Sequence, residues 1–284
     1  MKIPFTKMHG IGNDYIYVNC MQAELADPAA AAIAMSPRHF SVGADGLVMI
    51  CASDCADAKM RMFNADGSEG KMCGNAIRCV GKYLYDRGIV QKEEIDIETL
   101  SGIKHLKLAI ENGIVRSVTV SMGTASFAPA DIPIAQSTPH INQPITVDGT
   151  EYRCTCVSMG NPHQVIYVDD TDSLPLEQMG PHFENHPLFP ERVNTEFVRV
   201  IDASTLQMRV WERGSGETWA CGTGACAVVA ASVKNGIVPA NTPIRVKLRG
   251  GELIIRCSEN YEIEMTGPAA VAYEGVFDDE NCCQ

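Results

Sequence analysis

The chain has 284 residues, of which 45% are apolar, and a formal charge of −12. That length accommodates two packed domains of about 100–150 residues each. The acidic balance argues against a broad nucleic-acid or anionic-membrane surface, but leaves room for a small anionic ligand at a local positive site. No apolar run approaches the roughly 20 residues of a membrane-spanning helix, and residues 1–7 lack the core of a signal peptide. Twelve cysteines in a chain of this size and without targeting fit a reducing cytosol, so a cytoplasmic location is expected. Cys20, Cys51, Cys154, Cys156 and Cys257 lie in apolar or strand-like surroundings and read as buried hydrophobes. The tail pair Cys282 and Cys283 reads as exposed and incidental.

In chain order, strands are predicted over 5–7 and 15–19, separated by Gly10-Ile11-Gly12-Asn13-Asp14. The alanine-rich stretch 23–35 reads as a helix ending at Ser36-Pro37. Strands follow at 47–51 and 59–64, then a turn at 65–68. A helix opening near Cys73 carries Ala76, Ile77, Val80, Tyr83 and Leu84 at helical spacing, with Gly88 as its cap. Segments 95–99, 106–111 and 114–120 alternate with glycine turns and read as a meander. Residues 126–144 hold four prolines and weak periodicity, and read as a crossover.

The second half repeats this order. Strands are predicted at 153–158 and 164–168 around Gly160-Asn161-Pro162-His163, and a weaker helix at 172–183. Strands at 195–201 and 206–212 precede a helix opening near Cys221 and capped at Gly236. Segments 244–248, 253–257 and 261–265 close the half. This pattern favours an α+β fold over a regular βαβ winding. Each half would be an antiparallel-rich sheet wrapped round a central helix, and the two halves pseudo-symmetric. The expected domains are 1–124, joined by the C-terminal segment 267–284, and 125–266.

The two cysteine motifs are the strongest sign of this repeat. Glu69-Gly70-Lys71-Met72-Cys73-Gly74-Asn75 and Glu217-Thr218-Trp219-Ala220-Cys221-Gly222-Thr223 share a Glu four residues before Cys and a Gly after it. The spacing 221 − 73 = 148 recurs between Gly12-Asn13 and Gly160-Asn161. A cysteine at a helix N-terminus feels the positive end of the helix dipole, which favours its thiolate relative to a free thiol near about pH 8.5. The same helix end exposes backbone N–H groups, from Gly74-Asn75 and Gly222-Thr223, that suit a carboxylate. Two thiols and two such anchors suit proton removal and delivery at one α-carbon, one thiol as base and the other as acid. A single Cys-Gly at a helix start is ordinarily structural, and duplication can preserve a structural cysteine.

Other residues fit this chemistry less specifically. Asn13, Asn64, Asn161 and Asn194 stand at strand ends or tight turns, where Asn is common for local reasons. Glu212-Arg213 reads either as a solvated ion pair or as a zwitterion site, with Arg213 on a carboxylate and Glu212 on an ammonium. His163 reads as a core or turn histidine, or as support for proton transfer. No lysine proposes a Schiff base and no metal or nucleotide motif appears. Cys154-x-Cys156, Cys51-x3-Cys55 and His182-x3-His186 lack the matching second pair of a zinc site. No cofactor and no metal are therefore expected.

These motifs resemble the diaminopimelate epimerase family. The markers are Lys7-Met8-His9-Gly10-Ile11-Gly12-Asn13-Asp14, Phe63-Asn64-Ala65-Asp66-Gly67-Ser68-Glu69, Cys73-Gly74-Asn75, Gly160-Asn161-Pro162-His163, Glu191-Arg192-Val193-Asn194, Glu212-Arg213-Gly214-Ser215-Gly216-Glu217-Thr218 and Ala220-Cys221-Gly222-Thr223-Gly224-Ala225. They run in order from about residue 3 to about 275. The resemblance implies two pseudo-symmetric domains with an active site in the interdomain cleft. It also implies cofactor-independent interconversion of LL- and meso-diaminopimelate, in lysine and cell-wall precursor biosynthesis.

Carried over by motif, Cys73 and Cys221 are the base/acid pair, and Gly74, Asn75, Gly222 and Thr223 hold the reacting carboxylate. Asn13 and Asn64 lie near that end. Asn161, Asn194 and Arg213 would read the distal carboxylate and Glu212 the distal ammonium. Some members carry Gln where this chain has Gly46, so one side-chain contact is missing here. The implied partner is the small-molecule substrate, with no nucleic acid or membrane, and a homodimer is the assembly to test. The rivals are another two-thiol amino-acid racemase, a redox or metal-binding protein, and a non-enzymatic ligand-binding module. The last would not need two matched thiols.

Overall fold

A computed structural model describes residues 2–278; Cys282, Cys283 and the rest of the cysteine-rich tail lie outside the described residues. The first half lays down β1 (Lys2–Gly10), β2 (Asn13–Cys20), α1 (Pro28–Met35), β3 (Gly46–Cys51), β4 (Ala58–Asn64), β5 (Glu69–Gly70), α2 (Gly74–Asp86), β6 (Glu94–Thr99), β7 (Gly102–Glu111) and β8 (Ile114–Thr124). The second lays down β9 (Gln143–Val147), β10 (Thr150–Ser158), β11 (Pro162–Tyr167), α3 (Leu176–Glu184), β12 (Asn194–Asp202), β13 (Thr205–Glu212), β14 (Gly216–Thr218), α4 (Gly222–Lys234), β15 (Pro243–Leu248), β16 (Gly251–Cys257) and β17 (Glu262–Pro268). A last strand, β18 (Ala270–Asp278), follows. The chain divides into two compact units: residues up to Val120 together with those from Gly267 onward, and Ser121–Thr266.

In the first unit the strand order is β18-β1-β2-β3-β4-β6-β7-β8, with β5 added to β4. All pairs are antiparallel except β2–β3 and β4–β6. The second unit has the order β9-β10-β11-β12-β13-β15-β16-β17, with β14 added to β13. Its two parallel pairs, β11–β12 and β13–β15, fall at the same places in the order. The repeat suspected from the cysteine spacing is therefore a repeat of topology, and the α+β reading holds in both units.

The β2 and β3 strands read as continuous apolar runs because both of their faces are covered. Ile16, Val18 and Cys20 of β2, with Leu47, Met49 and Cys51 of β3, join one core cluster with Ala32 and Met35 of α1. Tyr17, on the alternate face of β2, donates from its hydroxyl to the Ala76 carbonyl of α2 at 3.2 Å. In the second unit Cys154, Cys156, Ile166 and Phe197 form the corresponding cluster with Leu176 and Phe183 of α3. The other helix, α4, is built almost entirely of small apolar residues and is buried from Gly224 to Ser232.

Helices α2 and α4 match in detail. Each has 13 residues and an extended cysteine at its N-cap. Each ends on a glycine at positive φ, Gly88 at 68° and Gly236 at 69°. These glycines stand one residue past the caps, Arg87 and Asn235. Their N–H groups bond back to Tyr85 and Val233, while those of Ile89 and Ile237 bond to Leu84 and Ser232. That is a Schellman closure, which needs a residue at ease in the left-handed region. Gly88 and Gly236 are again 148 residues apart.

Some boundaries differ from the sequence expectation. The first helix begins at Pro28, not residue 23, because Asp27 caps the Ala30 N–H at 2.9 Å and Pro28 occupies the first helical position. The second-half helix begins at Leu176, not 172, with Pro175 as its N-cap. Residues 162–163, expected as a turn, start β11, where a first-position proline sacrifices no ladder bond. The 126–144 stretch contains a 3-10 turn at Pro129–Asp131 and the start of β9. Strand β18, which pairs along β1, was not expected as a strand.

Candidate active site

Cys73 is half-buried and ends the extended approach to α2, so its carbonyl accepts the first helical bond, from Ile77, at 3.0 Å. Its thiol donates to Asn13 Oδ1 at 3.3 Å. Asn13 in turn donates from Nδ2 to Asp45 Oδ2 at 2.7 Å, and the Asp14 N–H reaches the same oxygen at 3.1 Å. Arg38 forks onto Asp14 at 3.0 and 2.7 Å and reaches Asp45 at 2.6 Å. Buried Lys7 pairs with Asp14 at 2.6 Å. Burial opposes ionisation of Asp14, yet Arg38 and Lys7 outweigh it and hold its carboxyl below the usual carboxylate range. Burial and the neighbouring Asp14 charge push Asp45 the other way, upward.

Asn13, a sequence candidate, thus links the thiol to a charged network whose other members were not singled out. A lysine inside an apolar strand and Asp45 beside Gly46 were the available signals. Asn64 donates to Ser68 Oγ at 2.9 Å and belongs to the turn after β4. Asn75 is buried in the first turn of α2. Gly46 sits against β4: a Cβ there would stand 2.1 Å from the Phe63 carbonyl oxygen.

Cys221 is buried at the start of α4. Its sulfur accepts the Gly224 N–H at 3.3 Å and lies 3.5 Å from Thr223 Oγ1. Burial pushes the thiol well above its ordinary value, and the Glu212 and Glu196 carboxylates add to the rise. Burial likewise raises Glu212, which accepts the Thr218 hydroxyl and lies beside the Cys221 thiol. His163 is completely buried. Its Nδ1 stands 2.7 Å from Glu196 Oε1 and its Nε2 3.1 Å from Asn161 Oδ1. Asn161 Nδ2 donates to Thr223 Oγ1 at 3.3 Å. A continuous relay therefore runs from Glu196 through His163, Asn161 and Thr223 to Cys221.

Glu196 was not foreseen, although a glutamate between Thr195 and Phe197 in an apolar strand was a visible anomaly. Asn194 is tied at both ends of its amide, donating to the Pro162 carbonyl at 2.8 Å and accepting the Arg213 N–H at 2.9 Å. The half-buried Arg213 guanidinium donates to the Glu191 carbonyl at 2.9 Å.

The 148-residue offset extends to the neighbours of the two thiols. Tyr15 corresponds to His163, Gly46 to Asn194, and Asn64 to Glu212. In each unit the first two of these are register partners across a parallel strand pair. The two thiols therefore sit in one architecture with different polar surroundings. Cys73 has Tyr15, whose phenol burial and the nearby Cys73 push up, where Cys221 has His163.

The model of the family described as diaminopimelate epimerase matches residues 5–128 and 155–272. The chain belongs to the diaminopimelate epimerase family. A diaminopimelate epimerase from Acetivibrio thermocellus is 55% identical over 276 residues, spanning 96% of this chain and 98% of that protein. One from Methanococcus maripaludis is 53% identical, spanning 96% and 99%. One from Phocaeicola vulgatus is 53% identical over 274 residues, spanning 96% and 97%. Among solved structures, a phenazine biosynthesis protein of the PhzF family from Bacillus anthracis superposes with a TM-score of 0.72 at 16% identity, covering 98% of this chain and 99% of that one. A hydroxyproline epimerase from Agrobacterium vitis does so with a TM-score of 0.68 at 15% identity, covering 98% and 92%. These two share the fold of this epimerase-family chain. Among the described residues no helix is long and apolar enough to cross a membrane.

Proposed function

We propose that the chain interconverts LL- and meso-diaminopimelate by proton transfer at one α-carbon between Cys73 and Cys221. One cysteine, as thiolate, takes the α-proton and becomes a thiol. The other, as thiol, delivers its proton to the opposite face and becomes a thiolate. Atoms and charge balance, and the two sulfurs have exchanged protonation states. Charge on the transient carbanion spreads into the adjacent carboxylate, which backbone N–H groups at a helix start can stabilise. Gly74, Asn75, Gly222 and Thr223 supply those groups. The transfer so written needs no cofactor.

The observation that carries this reading is the pair of matched helices, each opening on a cysteine at its N-cap, where the positive end of the helix dipole lies beside the thiol. The raised Cys221 thiol supports it as the proton donor in the direction in which Cys73 acts as the base. Glu212 lies beside the Cys221 thiol, which supports a part in setting its protonation in preference to reading a distal ammonium. Asn161, Asn194 and Arg213 remain the candidates for the distal carboxylate, and Asn13 and Asn64 for the reacting end. His163 holds Asn161, and through it Thr223, in place.

Proton NMR in deuterated water tests the substrate. With a reductant present, deuterium should enter the α-position of diaminopimelate and not that of proline, hydroxyproline, alanine or lysine. Exchange on one of those alone would keep the two-thiol chemistry and overturn the substrate.

A further inference from the structure

The second unit gathers His140, Cys154 and Cys156, one ring nitrogen and two Sγ atoms all within 4.8 Å of one another. The two cysteines are alternate residues of β10 and so share a face, and all three residues are at least nine-tenths buried. The sequence shows only Cys-x-Cys; the third group comes from a loop that the fold returns to β10. The Cys156 N–H fixes that return by donating to the His140 carbonyl at 2.8 Å.

The histidine is oriented as a ligand would be. Gln136 donates from Nε2 to the Thr138 carbonyl at 2.7 Å, which turns its Oε1 toward His140 Nδ1 at 3.2 Å. An acceptor there requires Nδ1 to carry the proton, so Nε2 bears the lone pair. Nε2 is buried and turned toward the Cys154 thiol, in a contact that falls short of good hydrogen-bond geometry. An outer acceptor on one ring nitrogen, with the other facing a thiol sulfur, is the arrangement found behind metal-bound histidines.

We propose that His140, Cys154 and Cys156 bind one thiophilic d10 metal ion, Zn2+ or Cu+. Binding forms two metal–sulfur bonds and one metal–nitrogen bond and releases both thiol protons to solvent, with no change in oxidation state. Three donors suit trigonal Cu+, whereas the charge sum of Zn2+ with two thiolates is zero, which suits an apolar interior. The site uses none of the residues assigned to epimerisation.

The test uses the full chain carrying Cys73→Ala and Cys221→Ala, reduced and anaerobic, so that those thiols cannot compete. Zn2+ and Cu+ are titrated separately against chromophoric chelators, with Co2+ as a spectroscopic reporter. The expected result is one equivalent of at least one ion, thiolate-to-Co2+ absorption in the near ultraviolet, and affinity lowered on the order of 100-fold in Cys154→Ala and Cys156→Ala and at least about 10-fold in His140→Gln. Zinc-only or copper-only binding identifies the ion. X-ray absorption on the metal-loaded double variant keeps the proposal testable if the core variants fail to fold: two sulfurs and one imidazole are expected. No binding of either ion, binding unchanged in all three variants, or a ligand set without an imidazole would overturn it.

Discussion

Replacing Gly224 by alanine sets two forces of opposite sign against each other. Gly224 is the third residue of α4, where alanine favours a helix over glycine by up to about 1 kcal/mol. The added Cβ, however, would stand 2.7 Å from Glu196 Oε1 and 3.2 Å from Cys221 Sγ. A carbon–oxygen contact of about 3.3 Å would require the carboxyl oxygen to retreat by about 0.6 Å from that 2.7 Å separation. Glu196 is fully buried and held 2.7 Å from His163 Nδ1, so its retreat lengthens that bond. Losing a buried hydrogen bond to a carboxyl group costs about 1–3 kcal/mol. Set against the helix gain, Gly224→Ala should destabilise by about 1 kcal/mol, a fall in Tm of a few degrees for a chain this size. Activity should fall further, because the relay ends on Cys221. Thermal melts and α-proton exchange of Gly224→Ala, Glu196→Gln and the double variant provide the assay. The two substitutions should be non-additive, since they disturb one contact. A Gly224→Ala protein that melts higher than its parent and exchanges at the parent rate would refute the tightly held relay.

Other consequences follow from the same geometry. Half-buried Cys73 should react with iodoacetamide at pH 7 at least about ten times faster than Cys221, whose buried thiol is held protonated; peptide mass spectrometry reads the ratio, and equal labelling contradicts the placement. Because the Glu212 charge raises the Cys221 thiol, Glu212→Gln should move the onset of Cys221 alkylation to lower pH, and a shift to higher pH would contradict that sign. Gly46→Gln, the residue some family members carry here, should lower the Tm of this chain, since a Cβ would meet the Phe63 carbonyl oxygen at 2.1 Å unless β4 shifts; a parent-like melt would show that β4 yields easily. Gly88→Ala and Gly236→Ala should each cost about 1 kcal/mol in thermal melts, because both glycines sit in the left-handed region at matched helix ends.

Local signals carried much of this architecture. The 148-residue offset exposed the repeat because duplication preserved spacing around Cys73 and Cys221. Apolar periodicity located α2, the repeated Cys-Gly motif before an alanine-rich run located α4, and alternating or continuous apolar runs located most strands. The start of α1 was missed because alanine propensity from residue 23 outweighed the stronger Asp27-Pro28 signal. Strand β18 was missed because its pairing depends on β1, more than 250 positions away, and long-range register leaves little trace in a short segment. The same holds for the candidate site. The cysteines and Asn13 stood out as candidates from their motifs. Glu196, Arg38 and Asp45 join their hydrogen-bond networks through contacts that only the folded strands create. His140 reaches Cys154 and Cys156 by a loop return that spacing rules for metal motifs do not describe.

The most direct test of the central claim is the fate of the α-proton of LL-diaminopimelate in Cys73→Ala and in Cys221→Ala, each followed by NMR in deuterated water beside the parent chain. If the two thiols act as one acid/base pair, each single variant should lose interconversion with meso-diaminopimelate by about 100-fold to 10,000-fold, while melting close to the parent temperature. If either variant interconverts the isomers at near the parent rate, the paired-thiol account is wrong.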